Sequence, residues 1–227
     1  MADNIEIRIM ETKGESWKKL IDGFLSFRTN ETVSSAIPGL VTGNGKKNLE
    51  QVLEGLVREV EAPILTAWDL QENKLAGFLI NDVRYAKGPI APGRTGPRIE
   101  DLNFDDISEE EMKAFKEYWL LTRTANPCET YKVDKTFYLL SLSVAKDYRG
   151  KGIASRLVHR SLKEASAMGL SLASGTFTNS YAQRIAANAG FEVIGEFVYK
   201  DTYKLYGSIP KDIRDEHTKC ACMAKRL

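Results

Sequence analysis

The stretch VAKDYRGKGIASR, Val144–Arg156, decides how this chain is read. It follows an apolar run, FYLLSLSV over 137–144, and leads into IASRLVHRSLKEASAMG, whose apolar residues recur at helical spacing. A strand, a turn carrying Gly150 and Gly152, and a helix start, in that order, expose unpaired backbone N–H groups at the positive end of a helix dipole. Glycines let the backbone pass close to a partner, and Arg149 and Lys151 make that partner an anion; a pyrophosphate fits the place. The plainer alternative is a tight strand-to-helix turn with solvated charges.

Two phosphate-binding motifs fail on the residues. A dinucleotide fingerprint needs a third glycine where this chain has Ser155. A P-loop needs GxxxxGK followed by Ser or Thr, and the nearest stretch, GLVTGNGKK, fails in either register: counted from Gly39 it has Asn44 at the second glycine, and counted from Gly45 and Lys46 it has Lys47 at the hydroxyl position.

Working outward, the order of elements is mixed α and β. IEIRIMET alternates as a strand does, and ESWKKLIDGFLSF sets Trp17, Leu20, Ile21, Phe24 and Leu25 at helical spacing. NLEQVLEGLVREV predicts a second helix, with Leu49, Val52, Leu53, Leu56 and Val57 on one face. APILTAWD and LAGFLINDV, joined by the polar LQENK, read as a hairpin. Residues 84–107 are rich in proline and glycine and predict a long surface loop, with Pro89–Pro97 as its linker-like part. Ser108 with Glu111 signals a helix through MKAFKEYWLLTR. After the 144–156 loop and its helix come LSLASGTF as a strand, SYAQRIAANAG as a helix ending on Gly190, FEVIGEFVY as a strand and HTKCACMAKRL as the last. No internal repeat is visible, and cutting at the linker-like part would strand two β runs without a core, so the expectation is one domain over 1–227.

Composition narrows the function classes. With 227 residues, 43% of them hydrophobic, the chain can bury a full core. Its 32 basic and 31 acidic residues leave a net charge of +1, so no nucleic-acid surface is expected. MADNIEIRIMETK offers no apolar stretch for a signal peptide or membrane span, and a cytoplasmic protein is expected. Cys128, Cys220 and Cys222 are too few for a disulfide framework and read as reduced and structural, the last two on one strand face. His159 and His217 have neither metal-ligand spacing nor a neighbouring nucleophile, so no metal is assigned.

Arg149, Gly150, Lys151, Gly152, Ile153 and Ala154 resemble, in order, the coenzyme A loop of the GNAT N-acetyltransferase superfamily: Gln or Arg, two variable residues, Gly, one variable residue, then Gly or Ala. TNSYAQRIAANAGFE is similar to that superfamily's Asn-containing helix closing on Gly-Phe. The resemblance implies an α/β (α+β) fold, with a mixed, mostly antiparallel sheet of about seven strands flanked by helices. It also implies acetyl-CoA as co-substrate. Leu142, Ser143 and Val144 would then run along the pantetheine arm, where the strand splays from its neighbour and a freed N–H stabilises the oxyanion. Gly150 to Ser155 would hold the diphosphate, and Asn179 joins the binding set.

Over most of its length the chain is most similar to invertebrate-type arylalkylamine N-acetyltransferases. FLSFRTNETVSSAI resembles that group's segment after the first helix, and Glu31 falls on its general base. FTNSYAQR and HTKCACMAKRL are its other points of likeness. Thr32 stands where the group has proline, Ala182 replaces one of its two serines while Thr178 falls on the other, and Ala186 replaces the superfamily's thiolate-protonating tyrosine. Thr178 through a water, Tyr181, or solvent is left as the acid. Phe24, Phe27, Tyr118, Trp119, Phe177 and Tyr181 are the aromatic candidates for walling an acceptor site, with core packing the plainer role for each taken singly. The implied acceptor is a small primary amine of the dopamine, serotonin or tryptamine class, acetylated directly because no cysteine lies near the site. Polyamine, amino-acid or protein N-terminal acceptors, or an acyl-CoA-binding protein without chemistry, are the alternatives; oligomeric state is open.

Overall fold

A computed structural model describes residues 4–10, 15–28, 54–55, 57, 59–87, 125–199 and 217–227. Seven strands form one open sheet: β1 Ile5–Ile9, β2 Leu65–Asp69, β3 Lys74–Tyr85, β4 Lys135–Val144, β5 Leu172–Phe177, β6 Glu192–Val198 and β7 Lys219–Arg226. Among the described residues they are accompanied by the helices α1 Glu15–Arg28, α2 Pro127–Tyr131, α3 Ile153–Ala167 and α4 Ser180–Asn188. The spatial order is β1-β2-β3-β4-β5-β7-β6, and every neighbouring pair is antiparallel except β4 with β5. The expected mixed, mostly antiparallel sheet of about seven strands is therefore the one observed.

Each face of the sheet has its own core. On one, Leu65, Leu79, Phe137, Leu139, Ala173 and Met223 pack under α3 and α4. α3 presents Ile153, Leu157, Val158, Leu162 and Ala165 to them, a stripe whose full burial is worth roughly 1.5–3 kcal/mol for each large aliphatic side chain. On the other, Leu20 and Ile21 of α1 join Met10, Val57, Ile64, Phe78 and Ile80. Glu54, Gly55, Val57 and Glu59 are helical, as the 49–60 periodicity predicts.

The helix ends follow local chemistry. α3 and α4 both close on Schellman turns, with Gly169 at φ +70° and Gly190 at φ +88°. In α4, Gly190 N–H donates to Ala187 O and Phe191 N–H to Ala186 O. α2 is absent from the sequence reading, although its signal is local: Asn126 caps Cys128 and Glu129 N–H, and Pro127 takes the first helical position.

One sequence expectation needs correction. β3 continues through Arg84 and Tyr85, which pair with Thr136 and Lys135, so these two residues are strand rather than the start of the 84–107 loop. β3 ends at Tyr85, and the first proline of the loop, Pro89, comes only after it. The strand expected over 137–144 is present within β4 and carries a bulge: Ile80 pairs with Ser141 but Asn81 with Leu139, which leaves Leu140 as an extra residue. Leu140 packs on the α1 side, while Phe137, Leu139, Leu142 and Val144 all pack on the α3 side. Buried Asn81 stitches the bulge, its Nδ2 donating to Pro63 O at 2.8 Å and its Oδ1 accepting from Ser161 Oγ at 3.1 Å.

Candidate functional site

The site begins where two parallel strands part. β4 and β5 pair through Phe137 with Ala173, Tyr138 with Ser174 and Leu139 with Gly175, and no further. Beyond Leu139, β4 runs on to Val144 with its other edge held by β3: Leu142 opposite Leu79, Ser143 opposite Phe78 and Val144 opposite Gly77. An opening therefore lies between the end of β4 and the end of β5. Gly77 permits this close strand contact, since a Cβ there would meet Ser143 O at 2.9 Å.

At the end of β4 the chain makes a 3₁₀ turn, Lys146–Tyr148, and enters α3 through Arg149–Gly152. Gly150 at φ +75° and Gly152 at φ +74° are left-handed, which explains glycine at both positions. An added Cβ on either would meet no protein atom within 4 Å, so the space above them is open. Gly152 caps α3 without any side-chain cap, and the first backbone hydrogen bond of the helix runs from Arg156 N–H to Gly152 O. Among the described residues, the N–H groups of Gly150 to Ser155 find no protein acceptor. Arg149 folds back, its Nε donating to Val144 O at 3.1 Å, and Lys151 Nζ stands 4.9 Å from the Tyr148 ring centroid. A row of open N–H donors, two glycines facing open space and two cations is a donor set that fits a diphosphate. Ile153 contributes only its backbone, its side chain being buried in the core.

On the other side of the opening the turn after β5 is pinned by side chains. Buried Tyr199 donates its hydroxyl to Thr178 O at 2.6 Å. Gln183 Nε2 donates to Phe177 O at 3.0 Å and to Lys219 O at 2.8 Å, bridging β5 and β7. Asn179 is the N-cap of α4, its Oδ1 accepting from Ala182 N–H at 2.8 Å. Ser180 Oγ lies 3.1 Å from Nδ1 of the buried His217, and the half-exposed Tyr181 ring meets that imidazole edge-on at 5.4 Å.

Of the predicted residues, the structure brings Leu142, Ser143, Val144 and Arg149 to Ser155 onto one wall of the opening and Thr178, Asn179 and Tyr181 onto the other. Glu31 lies outside the described residues, as do Tyr118, Trp119 and the side chains of Phe24 and Phe27. Phe177 is core rather than wall, buried edge-on against Phe191 with centroids 5.9 Å apart. Ala186 is also fully buried, so its position in α4 turns inward. The sequence reading missed Gln183 and Tyr199, whose roles depend on β7 and β6 being alongside, and it began the last strand at His217, whereas His217 precedes β7 and has the hydroxyl of Ser180 beside it.

The three cysteines are free and buried, with Cys220 and Cys222 both inside β7. Burial pushes their thiols up to about 12 and about 11. Among the described residues, no helix is long and apolar enough to cross a membrane.

The strand-edge opening and the N–H-rich loop fit a ligand with an extended arm and a diphosphate, and residues 99–191 match the acetyltransferase (GNAT) family. The GNAT acetyltransferase match thus spans 99–191, and the co-substrate of that family is acetyl-CoA. The fold of the chain is shared with arylalkylamine N-acetyltransferase 2 from Aedes aegypti, at TM-score 0.72 and 22% identity over 98% of this chain and 99% of that one. It is shared too with the Drosophila melanogaster polyamine N-acetyltransferase, at TM-score 0.66 and 15% identity over 98% and 100%. A putative acetyltransferase from Salmonella typhimurium, solved with its cofactor acetyl-CoA, matches at TM-score 0.55 and 13% identity over 99% and 94%. No curated protein matches the chain by sequence.

Proposed function

We propose that this chain, acting as one domain, is a cytoplasmic acetyl-CoA-dependent N-acetyltransferase of small primary amines, with arylalkylamines as its acceptor class. The observation that carries the reading is the opening beyond the Leu139–Gly175 rung with the open N–H row of Gly150 to Ser155 beside it. A pantetheine arm needs a strand edge to bond, and its diphosphate needs donors and positive charge. Leu142, Ser143 and Val144 supply the edge, and Arg149 to Ser155 supply the cradle. Asn179 serves the site by fixing the start of α4 through its cap.

Transfer then follows from acid–base chemistry. An alkylamine with a pKa near ~10 is protonated at neutral pH and must lose that proton before it attacks. Glu31 takes it through water, the neutral amine attacks the thioester carbonyl, and a β4 N–H beside the opening steadies the oxyanion. The departing thiolate takes its proton from Thr178 through a water, from Tyr181 or from solvent. A thiol of pKa near ~8.5 needs little help to leave.

The likeness to the Aedes aegypti enzyme supports the arylalkylamine class, and the likeness to the Drosophila polyamine enzyme favours polyamines as the second reading. Free, buried thiols suit a reducing compartment. Thiol release from acetyl-CoA, measured with dopamine, tryptamine, spermidine and a mixed-sequence peptide on wild type and Glu31→Gln, tests all of this. Arylalkylamine-dependent release that falls about a hundredfold or more in Glu31→Gln supports acceptor and base together. Release confined to spermidine or peptide overturns the acceptor, an unchanged rate in Glu31→Gln overturns the base, and acetyl-CoA binding without release overturns the catalytic reading.

A further inference from the structure

The RxxGxG/A stretch leaves Tyr148 unexplained, yet this residue joins the loop to a part of the sheet 79 residues away. Its hydroxyl donates to Asp69 Oδ2 at 2.9 Å. Asp69 is the last residue of β2, and its other oxygen, Oδ1, accepts from the N–H groups of Gln71 at 2.9 Å and Glu72 at 3.1 Å. The carboxylate is thereby locked into the β2–β3 turn, and the turn itself is held by the pairing of Asp69 with Lys74. Tyr148 is equally fixed from below: its N–H donates to Ala145 O at 2.9 Å, and its ring packs against the α3-side core. The exposed face of that ring carries the Lys151 ammonium. One side chain thus anchors the 3₁₀ turn, reaches the hairpin and seats a cation of the loop.

Gly150 and Gly152 make this loop conformationally free, so its N–H groups need an external restraint if they are to be aimed before a ligand arrives. Neither Asp69 nor Tyr148 belongs to the two walls described above. Among the described residues, the hydroxyl–carboxylate bond is the hydrogen bond by which the β2–β3 turn reaches the 3₁₀ turn.

We propose that Asp69 and Tyr148 are positioning residues for the diphosphate half of acetyl-CoA. The hairpin holds Tyr148, Tyr148 holds Lys151 and the entry to α3, and the N–H row is presented in a ready state. This rests on the reading of Gly150–Ser155 as the diphosphate loop. Its particular consequence is selectivity by ligand part: the pair acts on the diphosphate and leaves the pantetheine edge of β4 to β3.

The test compares acetyl-CoA with S-acetylpantetheine, which has the thioester arm but no diphosphate, in wild type, Tyr148→Phe, Asp69→Ala and the double variant. Tyr148→Phe keeps the ring under Lys151 and removes only the hydroxyl. The expected result is a rise in KM for acetyl-CoA of about tenfold with kcat at saturation retained. The ratio of kcat/KM for acetyl-CoA to that for S-acetylpantetheine falls by the same factor, and the double variant is no worse than Asp69→Ala. Calorimetry reads the same split at equilibrium, with coenzyme A and its adenosine diphosphate fragment losing affinity in parallel. Equal loss on both thioesters, or no loss on acetyl-CoA, overturns the proposal. Arg149→Ala and Lys151→Ala separate the two layers. If neither lowers the ratio, the diphosphate reading of the loop fails; if they do and Tyr148→Phe does not, only the positioning pair fails.

Discussion

Leu139 and Gly175 form the last rung between β4 and β5, and the glycine makes the rung possible. A Cβ at Gly175 would meet the Phe177 ring at 3.0 Å and Leu139 O at 3.2 Å. The ring is buried and the oxygen belongs to the backbone, so neither neighbour yields freely. Gly175→Val is expected to destabilise the fold by about 1–3 kcal/mol through overpacking, with Gly175→Ala nearer the lower end. Denaturant unfolding midpoints of the two variants check this, and acetyl-CoA affinity should fall in the same order.

The loop glycines predict a different balance. At Gly150 and Gly152 an added Cβ meets no protein atom within 4 Å, so the cost of alanine is that of the left-handed backbone alone, about 1–2 kcal/mol. The added methyl also stands in the space where the proposed ligand approaches. Gly152→Ala is expected to lose more in coenzyme A affinity than in unfolding free energy, which paired calorimetry and denaturation experiments measure.

Tyr181 lies edge-on to His217, half-exposed at the start of α4. Because the leaving thiol is a far weaker base than an alkoxide, loss of the phenol costs little. Tyr181→Phe is expected to lower kcat by less than about tenfold, against about a hundredfold or more for Glu31→Gln. Steady-state kinetics at saturating acetyl-CoA decide it, and a larger loss in Tyr181→Phe would make that phenol the required acid.

The Asp69–Tyr148 bond has a pH signature at both ends. Partial burial first, then the hydrogen bond and charge of Asp69, push the Tyr148 phenol up to about 12. The Glu72 N–H first, with the Tyr148 hydroxyl and Gln71 N–H, holds the Asp69 carboxyl below its ordinary 3.8. A raised phenol stabilises the fold fully below its unfolded value near ~10 and loses that contribution as pH climbs through about 12. A lowered carboxyl contributes above 3.8 and loses its contribution as pH falls through its depressed folded value. Ultraviolet titration of wild type minus Tyr148→Phe should show one tyrosine ionising near 12. The stability difference between the two proteins should be flat between the acid and alkaline limbs.

What was legible in the amino-acid order was whatever a few adjacent residues decide. Gly150 and Gly152 had to be left-handed, Gly190 had to close α4, and the 3.6-residue stripe of Ile153 to Ala165 had to face a core, because backbone sterics and periodicity act within a turn or two. The sheet's strand content and the anion loop follow from that, together with the resemblance carried by Arg149 to Ala154. Tertiary structure alone decided where β4 leaves β5, because that depends on Leu140 being an unpaired residue against β3, and pairing partners lie some sixty residues apart. It likewise decided that Tyr148 meets Asp69, that His217 meets Ser180 and that Tyr199 meets Thr178. Local chemistry sets the shape of each element, but contacts between elements depend on registers that no short window of sequence contains.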